Sequence, residues 1–254
     1  MTMLQDKSII VTGASSGIGR AAALLFAAEG ARLVIVARRA EPLDTVAREI
    51  KAKGGEVVVC PGDVTEPETH NRAVAAALDS FGRLDGAFNN AGAVIAMKPL
   101  AEHSLDDWIA TLDCNLTSAF LAVCAQVPAM METGGGSLVF TSTFVGNSVG
   151  IPGMGAYGVA KSGLSGLVKA LAADYAYRGI RANALLAGGT DTPAAGSEEN
   201  KAWAAGLHPV RRIARPEEIA GAALLLLSDL SSFVIGSELW ADGGNAATKV
   251  QAQG

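Results

Sequence analysis

A single α/β domain, doubly wound, with a seven-stranded parallel sheet covered by helices on both faces, is the fold class this sequence predicts. Three observations point to it. Short β-branched apolar runs alternate with segments of helical apolar spacing along the whole 254 residues. The strand candidates are continuous apolar runs, the pattern of strands buried on both faces. No linker, charge block or composition break divides the chain, so residues 1–254 read as one domain.

The elements follow in order. SIIVTG, residues 8–13, is a β-branched run closed by glycine and reads as a buried strand. GIGRAAALLFAAEG, residues 17–30, has helical spacing and a glycine stop. ARLVIVARR (31–39) is the second strand, and a helix over about 41–53 closes at Gly54-Gly55. EVVVCPGD (56–63) is the third strand and THNRAVAAALDSFG (69–82) the next helix. LDGAFNNAG (84–92) is a fourth strand running into a turn, followed by a long helical region over about 104–132. SLVFTST (137–143) is the fifth strand, 155–178 a helix and IRANALLAGG (180–189) the sixth strand. A helix near 216–228 and a strand near 235–240 complete the pattern. Residues 190–210 are the least regular and suit a flap.

Charge and composition narrow the function. The formal net charge is −5, with both signs mixed and no basic tract, so nucleic acid is not an expected partner. Cys60, Cys114 and Cys124 are odd in number and lack C-x-x-C spacing, which fits reduced thiols in a cytosol. His70, His103 and His208 are scattered, so no metal site is expected. The start MTMLQDKSIIV lacks a basic segment followed by a long apolar run, and the expected location is cytoplasmic. The longest uncharged stretch, 133–160, is too rich in glycine and polar residues to span a membrane.

The first strand leads into Thr12-Gly13-Ala14-Ser15-Ser16-Gly17-Ile18-Gly19 and then a helix. Glycines there allow a tight turn and close backbone approach. The helix start then offers N–H groups and a positive dipole end to a pyrophosphate. The spacing is G-x-x-x-G-x-G. With this turn, Asp63-Val64, the Asn89-Asn90-Ala91-Gly92 turn, Asn115 and Tyr157-x-x-x-Lys161 in order, the chain resembles the classical short-chain dehydrogenase/reductase family over nearly its whole length. The resemblance implies a Rossmann-like fold and a nicotinamide dinucleotide on Gly13, Ser15, Ser16, Gly17, Ile18 and Gly19. It also implies Asp63 and Val64 at the adenine, and Asn89, Ala91 and Gly92 along the cofactor.

Tyr157 and Lys161 are four residues apart and share a helix face. A free tyrosine, with a pKa of about 10, is a poor base near neutrality. A cation beside it favours phenolate, so the tyrosine can exchange a proton with an alcohol or ketone oxygen. The resemblance adds that Lys161 bonds the nicotinamide ribose and that Asn115 holds a water linking Lys161 to solvent. The family's serine at the end of the fifth strand falls, at its usual spacing, on Phe144. Ser142 and Thr143 are the hydroxyl candidates, and aligning from the strand's glycine favours Thr143 slightly. Neighbours in a strand face opposite sides, so both cannot share one task.

After the sixth strand the family's Pro-Gly is replaced by Ala187-Gly188-Gly189, followed by Thr190-Asp191-Thr192. The resemblance implies Thr190 at the carboxamide and Gly188 and Thr192 among the cofactor-binding residues of a loop that clamps nicotinamide, held less rigidly without the proline. The second strand ends in Ala37-Arg38-Arg39. An NAD-preferring site carries a carboxylate there. With Ala37 at that place and two guanidiniums beyond it, NADP(H) is the preferred cofactor, NAD(H) the alternative, and Arg38 the main phosphate contact before Arg39.

The expected activity is hydride transfer between a small ketone and a secondary alcohol. An alternative is 3-oxoacyl-carrier-protein reduction, for which Arg211, Arg212 and Arg215 would supply a docking patch. A non-catalytic nucleotide-binding regulator would be expected to lack Tyr157, Lys161 or Asn115, and all three are present. Met97, Met154, Trp203 and Leu207 are candidates for an apolar pocket. The resemblance also implies homotetramers, with a dimer the alternative, built on the apolar helices that hold Asn115 and Tyr157.

Overall fold

The computed structural model describes residues 2–248. Seven parallel strands lie in the order β3-β2-β1-β4-β5-β6-β7. They are β1 (Ser8–Thr12), β2 (Arg32–Ala37), β3 (Val57–Pro61), β4 (Gly86–Asn89), β5 (Gly136–Thr143), β6 (Ile180–Ala187) and β7 (Glu238–Ala241). The helices are α1 (Gly17–Ala28), α2 (Ala40–Ala52), α3 (Pro67–Phe81), α4 (Leu105–Leu112), α5 (Ser118–Glu132), α6 (Gly155–Tyr175), α7 (Glu198–Gly206) and α8 (Pro216–Leu227).

Alternate side chains of each strand feed two cores. Ile9, Val11, Val139 and Leu185 meet Ala22 and Phe26 of α1, Leu43 and Val46 of α2 and Ile219 and Leu224 of α8. Ile10, Leu138, Phe140 and Leu186 meet Ala73 of α3, Met130 of α5 and Leu164 and Val168 of α6. The strands are therefore apolar at every position, as the sequence pattern requires. The direction of winding reverses between β1 and β4, which opens a crevice at the carboxyl ends of the strands.

Strands stop earlier than the runs read from the sequence, and three of the early stops free site residues. β2 ends at Ala37, leaving Arg38 and Arg39 outside the sheet. β4 ends at Asn89, so Asn90, Ala91 and Gly92 form the turn. β6 ends at Ala187 and releases Gly188 and Gly189. The long helical region is interrupted by a π-helical turn, Asp113–Thr117, that contains Asn115. Among the described residues, the run 105–132 is the one helical stretch long and apolar enough to cross a membrane. Its Ala119, Val127 and Met130 pack against the sheet. The region 190–210 is more regular than expected. It contains α7, started by Ser197 accepting the Asn200 N–H. α7 buries no residue, so it leaves no apolar periodicity to read.

Candidate functional site

A cleft of about 630 Å³ opens at the carboxyl ends of the strands. Its floor is the glycine turn: Gly13, Ser15, Ser16, Gly17 and Ile18. One end is walled by Ala37, Arg38, Arg39 and the segment from Gly62 to Thr65, which includes Asp63 and Val64. The other end carries Asn90 to Ala93, Ile95, the π-helical turn, Tyr157, Lys161 and Thr192 to Ala194. Gly19, Asn89, Asn115, Ser142, Thr143, Gly188 and Thr190 stand behind this surface.

Gly13 and Gly17 take φ values of 70° and 52°, which side chains other than glycine's rarely adopt. A Cβ at Gly17 would lie 2.9 Å from Thr192 Cγ2, so the segment after β6 rests on the glycine turn. A Cβ at Gly19 would lie 2.2 Å from the Gly13 carbonyl oxygen, so only glycine permits this turn-to-helix contact. The residues present therefore fit a dinucleotide: a bare backbone cradle opens a helix, and two guanidiniums stand at its far end.

The turn is stitched to its neighbours by Asn90. Its backbone N–H and that of Ala91 donate to Thr12 Oγ1 at 3.0 and 3.1 Å. Its side-chain amide donates to the Thr12 carbonyl at 3.2 Å, and its Oδ1 accepts from Thr141 Oγ1 at 3.1 Å. One asparagine thus ties the ends of β1, β4 and β5. Asn89 points the other way and exchanges two hydrogen bonds with buried Gln126, at 2.9 and 3.1 Å. Its side chain supports the sheet, and Asn90 takes the cleft-facing place. Neither Asn90's double role nor Gln126 carried a signal beyond the Asn-Asn pair itself.

Lys161 is buried, donates to the Thr141 carbonyl at 2.8 Å and lies 5.8 Å from the Tyr157 ring centroid. Desolvation lowers its ammonium to about 8. Tyr157 is half-buried and lines the cleft, and desolvation raises its phenol to about 12. The shift is opposite to the expected cation effect, because burial of the charged form outweighs it. Asn115 joins this group through the π-helical turn. Its amide donates to the carbonyls of Ala93 and Thr111 at 2.8 and 2.9 Å, and its Oδ1 accepts from the Ala93 N–H at 3.1 Å. A Cβ at Gly92 would lie 2.7 Å from Asn115 Oδ1 and 2.8 Å from Lys161 Nζ. Glycine leaves room for both groups, and a cavity of about 10 Å³ is lined by Asn115, Lys161, Ala91 and Thr141. Cys114, which the sequence reading did not single out, also lines the cleft; burial pushes its thiol up, so it is no ready nucleophile.

At the end of β5 the two hydroxyl candidates separate. Ser142 Oγ donates to the Lys161 carbonyl at 2.9 Å and accepts from Asn147 Nδ2 at 3.2 Å, so it is bound into α6. Thr143 shares its strand face with Thr141, which lines the cleft. Asn147 also donates to the Thr143 carbonyl at 2.8 Å and accepts from Ser165 Oγ at 3.1 Å, holding the longer loop after β5 in place. That role was not legible in a polar loop residue.

The loop after β6 is not slack, contrary to the expectation drawn from its missing proline. Gly188 N donates to the Ala241 carbonyl at 3.0 Å, and Gly189 N to His208 Nε2 at 3.0 Å. Ala214 N donates to the Gly189 carbonyl at 2.7 Å, and Asp191 N to that of Ala214 at 2.8 Å. Thr190 Oγ1 donates to the Gly188 carbonyl at 3.0 Å. Thr190 is therefore turned inward, and Thr192 is the threonine at the cleft.

At the far end, Arg38 and Arg39 are exposed and have no ion-pair partner among the described residues. Asp63 uses one oxygen to accept the Thr65 N–H and hydroxyl at 3.0 and 2.9 Å.

Comparison with known proteins agrees with this geometry. Residues 13–246 match the family profile described as enoyl-(acyl carrier protein) reductase. The chain is 39% identical over 238 residues to a cyclohexanol dehydrogenase of Acinetobacter sp., covering 94% of each protein. It is 42% identical over 256 residues to a 2,5-dichloro-2,5-cyclohexadiene-1,4-diol dehydrogenase of Sphingobium indicum, covering 97% of this chain and all of that one (100%). The solved structure of a short-chain type dehydrogenase/reductase from Mycobacterium marinum superimposes with a TM-score of 0.91 at 32% identity, over 96% of this chain and 97% of that one. That of levodione reductase gives 0.91 at 32% identity, over 97% of this chain and 100% of that one.

Proposed function

This chain belongs to the classical short-chain dehydrogenase/reductase family of NAD(P)-dependent oxidoreductases, and from that premise we propose that it interconverts an uncharged cyclic ketone and its secondary alcohol, with NADP(H) as the preferred cofactor. The observation that carries the reading is that Tyr157 and Lys161 face the same cleft as the glycine turn. Bound nicotinamide supplies or takes the hydride. Tyr157 gives a proton to the carbonyl oxygen in reduction and removes it from the alcohol in oxidation. A tyrosine is protonated near neutrality, the form that serves reduction. Lys161 and Asn115 return the proton through the small cavity they line, which is just large enough for one water. Thr143 holds the substrate oxygen, and Arg38, then Arg39, hold the 2′-phosphate.

The wall beside Tyr157 supports the proposed substrate class. Ile95 lines the cleft, and Val94, Met97 and Trp203 are exposed apolar side chains on the adjoining segments. The lysines of these segments are neutralised: Lys98 pairs with Asp107 at 2.6 Å, and Lys201 with Asp191 and Glu198 at 2.9 and 2.8 Å. On these two segments, among the described residues, each lysine is thus paired with a carboxylate, and two relatives are named for six-membered carbocyclic alcohols. The carrier-protein alternative is weaker. Arg212 is held by Glu218 at 2.7 and 2.8 Å, and Arg215 lies 3.6 Å from the same carboxylate, which leaves only Arg211 for a docking patch.

Two apolar surfaces support a homotetramer. One joins Ile109 of α4, Phe120 of α5 and Val159 of α6; the other joins Leu225 of α8 with Leu230 and Phe233 before β7. The reduced cysteines fit a cytoplasmic location. Absorbance at 340 nm with cyclic ketones and alcohols, carrier-bound 3-oxoacyl substrates, NADPH and NADH tests the whole reading. Turnover confined to the carrier-bound substrates would reject the cyclic class, and binding without any turnover would reject catalysis.

A further inference from the structure

His208 lies in the connection after α7 and is 1% exposed. It touches three strand ends at once. Its Nε2 accepts the Gly189 N–H at 3.0 Å, in the loop after β6. Its Nδ1 lies 2.7 Å from the Asp242 carbonyl oxygen, just after β7. Its ring meets Phe144 edge-on, with centroids 5.5 Å apart and planes at 76°. Phe144 directly follows Thr143 at the end of β5.

These partners fix the tautomer. An amide N–H needs an acceptor at Nε2, and a carbonyl needs a donor at Nδ1. The imidazole is therefore neutral with its hydrogen on Nδ1. The same ring crowds both glycines. A Cβ at Gly188 would lie 2.9 Å from His208 Cε1 and 2.9 Å from Asp242 Cα, and one at Gly189 3.0 Å from Nε2 and 3.1 Å from Ile213 Cγ2. Neither glycine has a positive φ. They are glycines for want of space, and the imidazole takes up part of it at both.

We propose that His208 is a positioning residue for the nicotinamide end of the cofactor: its Nε2 sets the place of Gly189, and through it that of Thr190 and Thr192. The inference rests on the functional reading above, in which this loop meets the carboxamide. It supplies what a proline would otherwise provide, because Ala187-Gly188-Gly189 has no ring to restrict it. The grip is a single hydrogen bond to a backbone amide, so it can be removed without touching any group that faces the cleft.

The test uses a pair of variants. His208→Asn can keep a donor near Nδ1 but has no atom at Nε2. His208→Gln can present an oxygen close to the Nε2 position. Fluorescence titration measures the Kd of NADPH and NADH, and competition against the tighter one measures the adenosine-end fragment, adenosine 2′,5′-bisphosphate or ADP. His208→Asn should weaken the dinucleotide about tenfold, the usual scale for leaving one buried donor unpaired. The fragment should bind within about twofold of the parent, and His208→Gln should recover most of the dinucleotide affinity. Equal weakening of dinucleotide and fragment, or equal loss in the Asn and Gln variants, would show a role in packing alone and overturn the inference. If the Asn variant does not fold, nitrogen-15 shifts of the parent decide. Nε2 should be unprotonated and should respond to dinucleotide but not to fragment; a protonated Nε2, or no such difference, overturns the inference. A parent that binds neither dinucleotide would overturn the functional reading itself, and this inference with it.

Discussion

Ser142 and Thr143 are neighbours whose hydroxyls serve opposite faces of β5: Ser142 Oγ donates to the Lys161 carbonyl at 2.9 Å, whereas Thr143 Oγ1 accepts only the long contact from the Val145 N–H at 3.4 Å. Among the described residues nothing accepts the Thr143 proton, which leaves it available for the substrate oxygen in the proposed reaction. Thr143→Val should lower kcat by about a hundredfold, the usual effect of losing a hydrogen bond to a developing oxyanion. Ser142→Ala should lower kcat less and Tm more, since it removes a tie between β5 and α6. Steady-state kinetics and thermal melts of both variants compare the two, and a deeper kcat loss for Ser142→Ala would reverse the assignment.

Tyr157→Phe removes one hydroxyl and leaves the ring. The variant should fold and bind NADPH as the parent does, yet lose at least about a hundredfold in kcat. Residual activity within a few-fold of the parent, at the parent's best pH, would remove Tyr157 from proton transfer.

Lys161 is a buried cation lowered to about 8, and this has a sign that can be measured. The folded state disfavours the proton that the unfolded state keeps up to about pH 10.4. The resulting penalty is complete below about pH 8 and fades as pH rises from there toward the unfolded value. Lys161→Met should therefore be inactive but melt several degrees higher than the parent at pH 7. The difference in Tm should narrow between pH 8 and pH 10. A variant less stable than the parent at pH 7 would mean that the bond to the Thr141 carbonyl outweighs the desolvation of the charge.

Arg38→Ala should raise the KM for NADPH by about tenfold or more and leave that for NADH nearly unchanged, because a guanidinium recognises the phosphate and not the ribose hydroxyls. Comparison of kcat/KM with both cofactors checks this. A parent that prefers NADH would show that the guanidiniums beyond Ala37 face solvent only.

Phe233 is 97% exposed beside the edge strand β7. Light scattering should give a mass near four times 25.8 kDa, and Phe233→Glu should reduce it to half or less. A parent mass of 25.8 kDa would leave both apolar faces without a partner.

The sheet was legible because its information is local: each β-branched run carries its own strand, and each glycine stop its own boundary. The glycine turn, the Asn-Asn-Ala-Gly turn and the Tyr157–Lys161 pair were legible for the same reason. What stayed hidden depends on distant partners. Asn89 and Asn90 look equivalent in sequence, and only Gln126 and Thr12, far along the chain, divide their tasks. The raised pKa of Tyr157 was missed because four-residue spacing places a cation near but says nothing of how deeply the fold desolvates the phenol. His208 looked like one of three scattered histidines, since its two glycine contacts come from a loop 19 residues away. α7 escaped because an exposed helix needs no apolar stripe.

The tie between Thr12 and Asn90 bridges 78 residues. This sets a timetable for folding. β1 is synthesised first and pairs with β2, but its other edge is covered only by β4. Contacts this remote in sequence form slowly. At a synthesis rate of roughly 5–20 residues per second, the open edge of β1 waits several seconds for its neighbour. During that interval a fully apolar strand has one unpaired side, the condition under which nascent chains aggregate or are held by chaperones. The cleft is complete only after residue 194 has left the ribosome, so a whole dinucleotide can stabilise the chain only once six of the seven strands have been made.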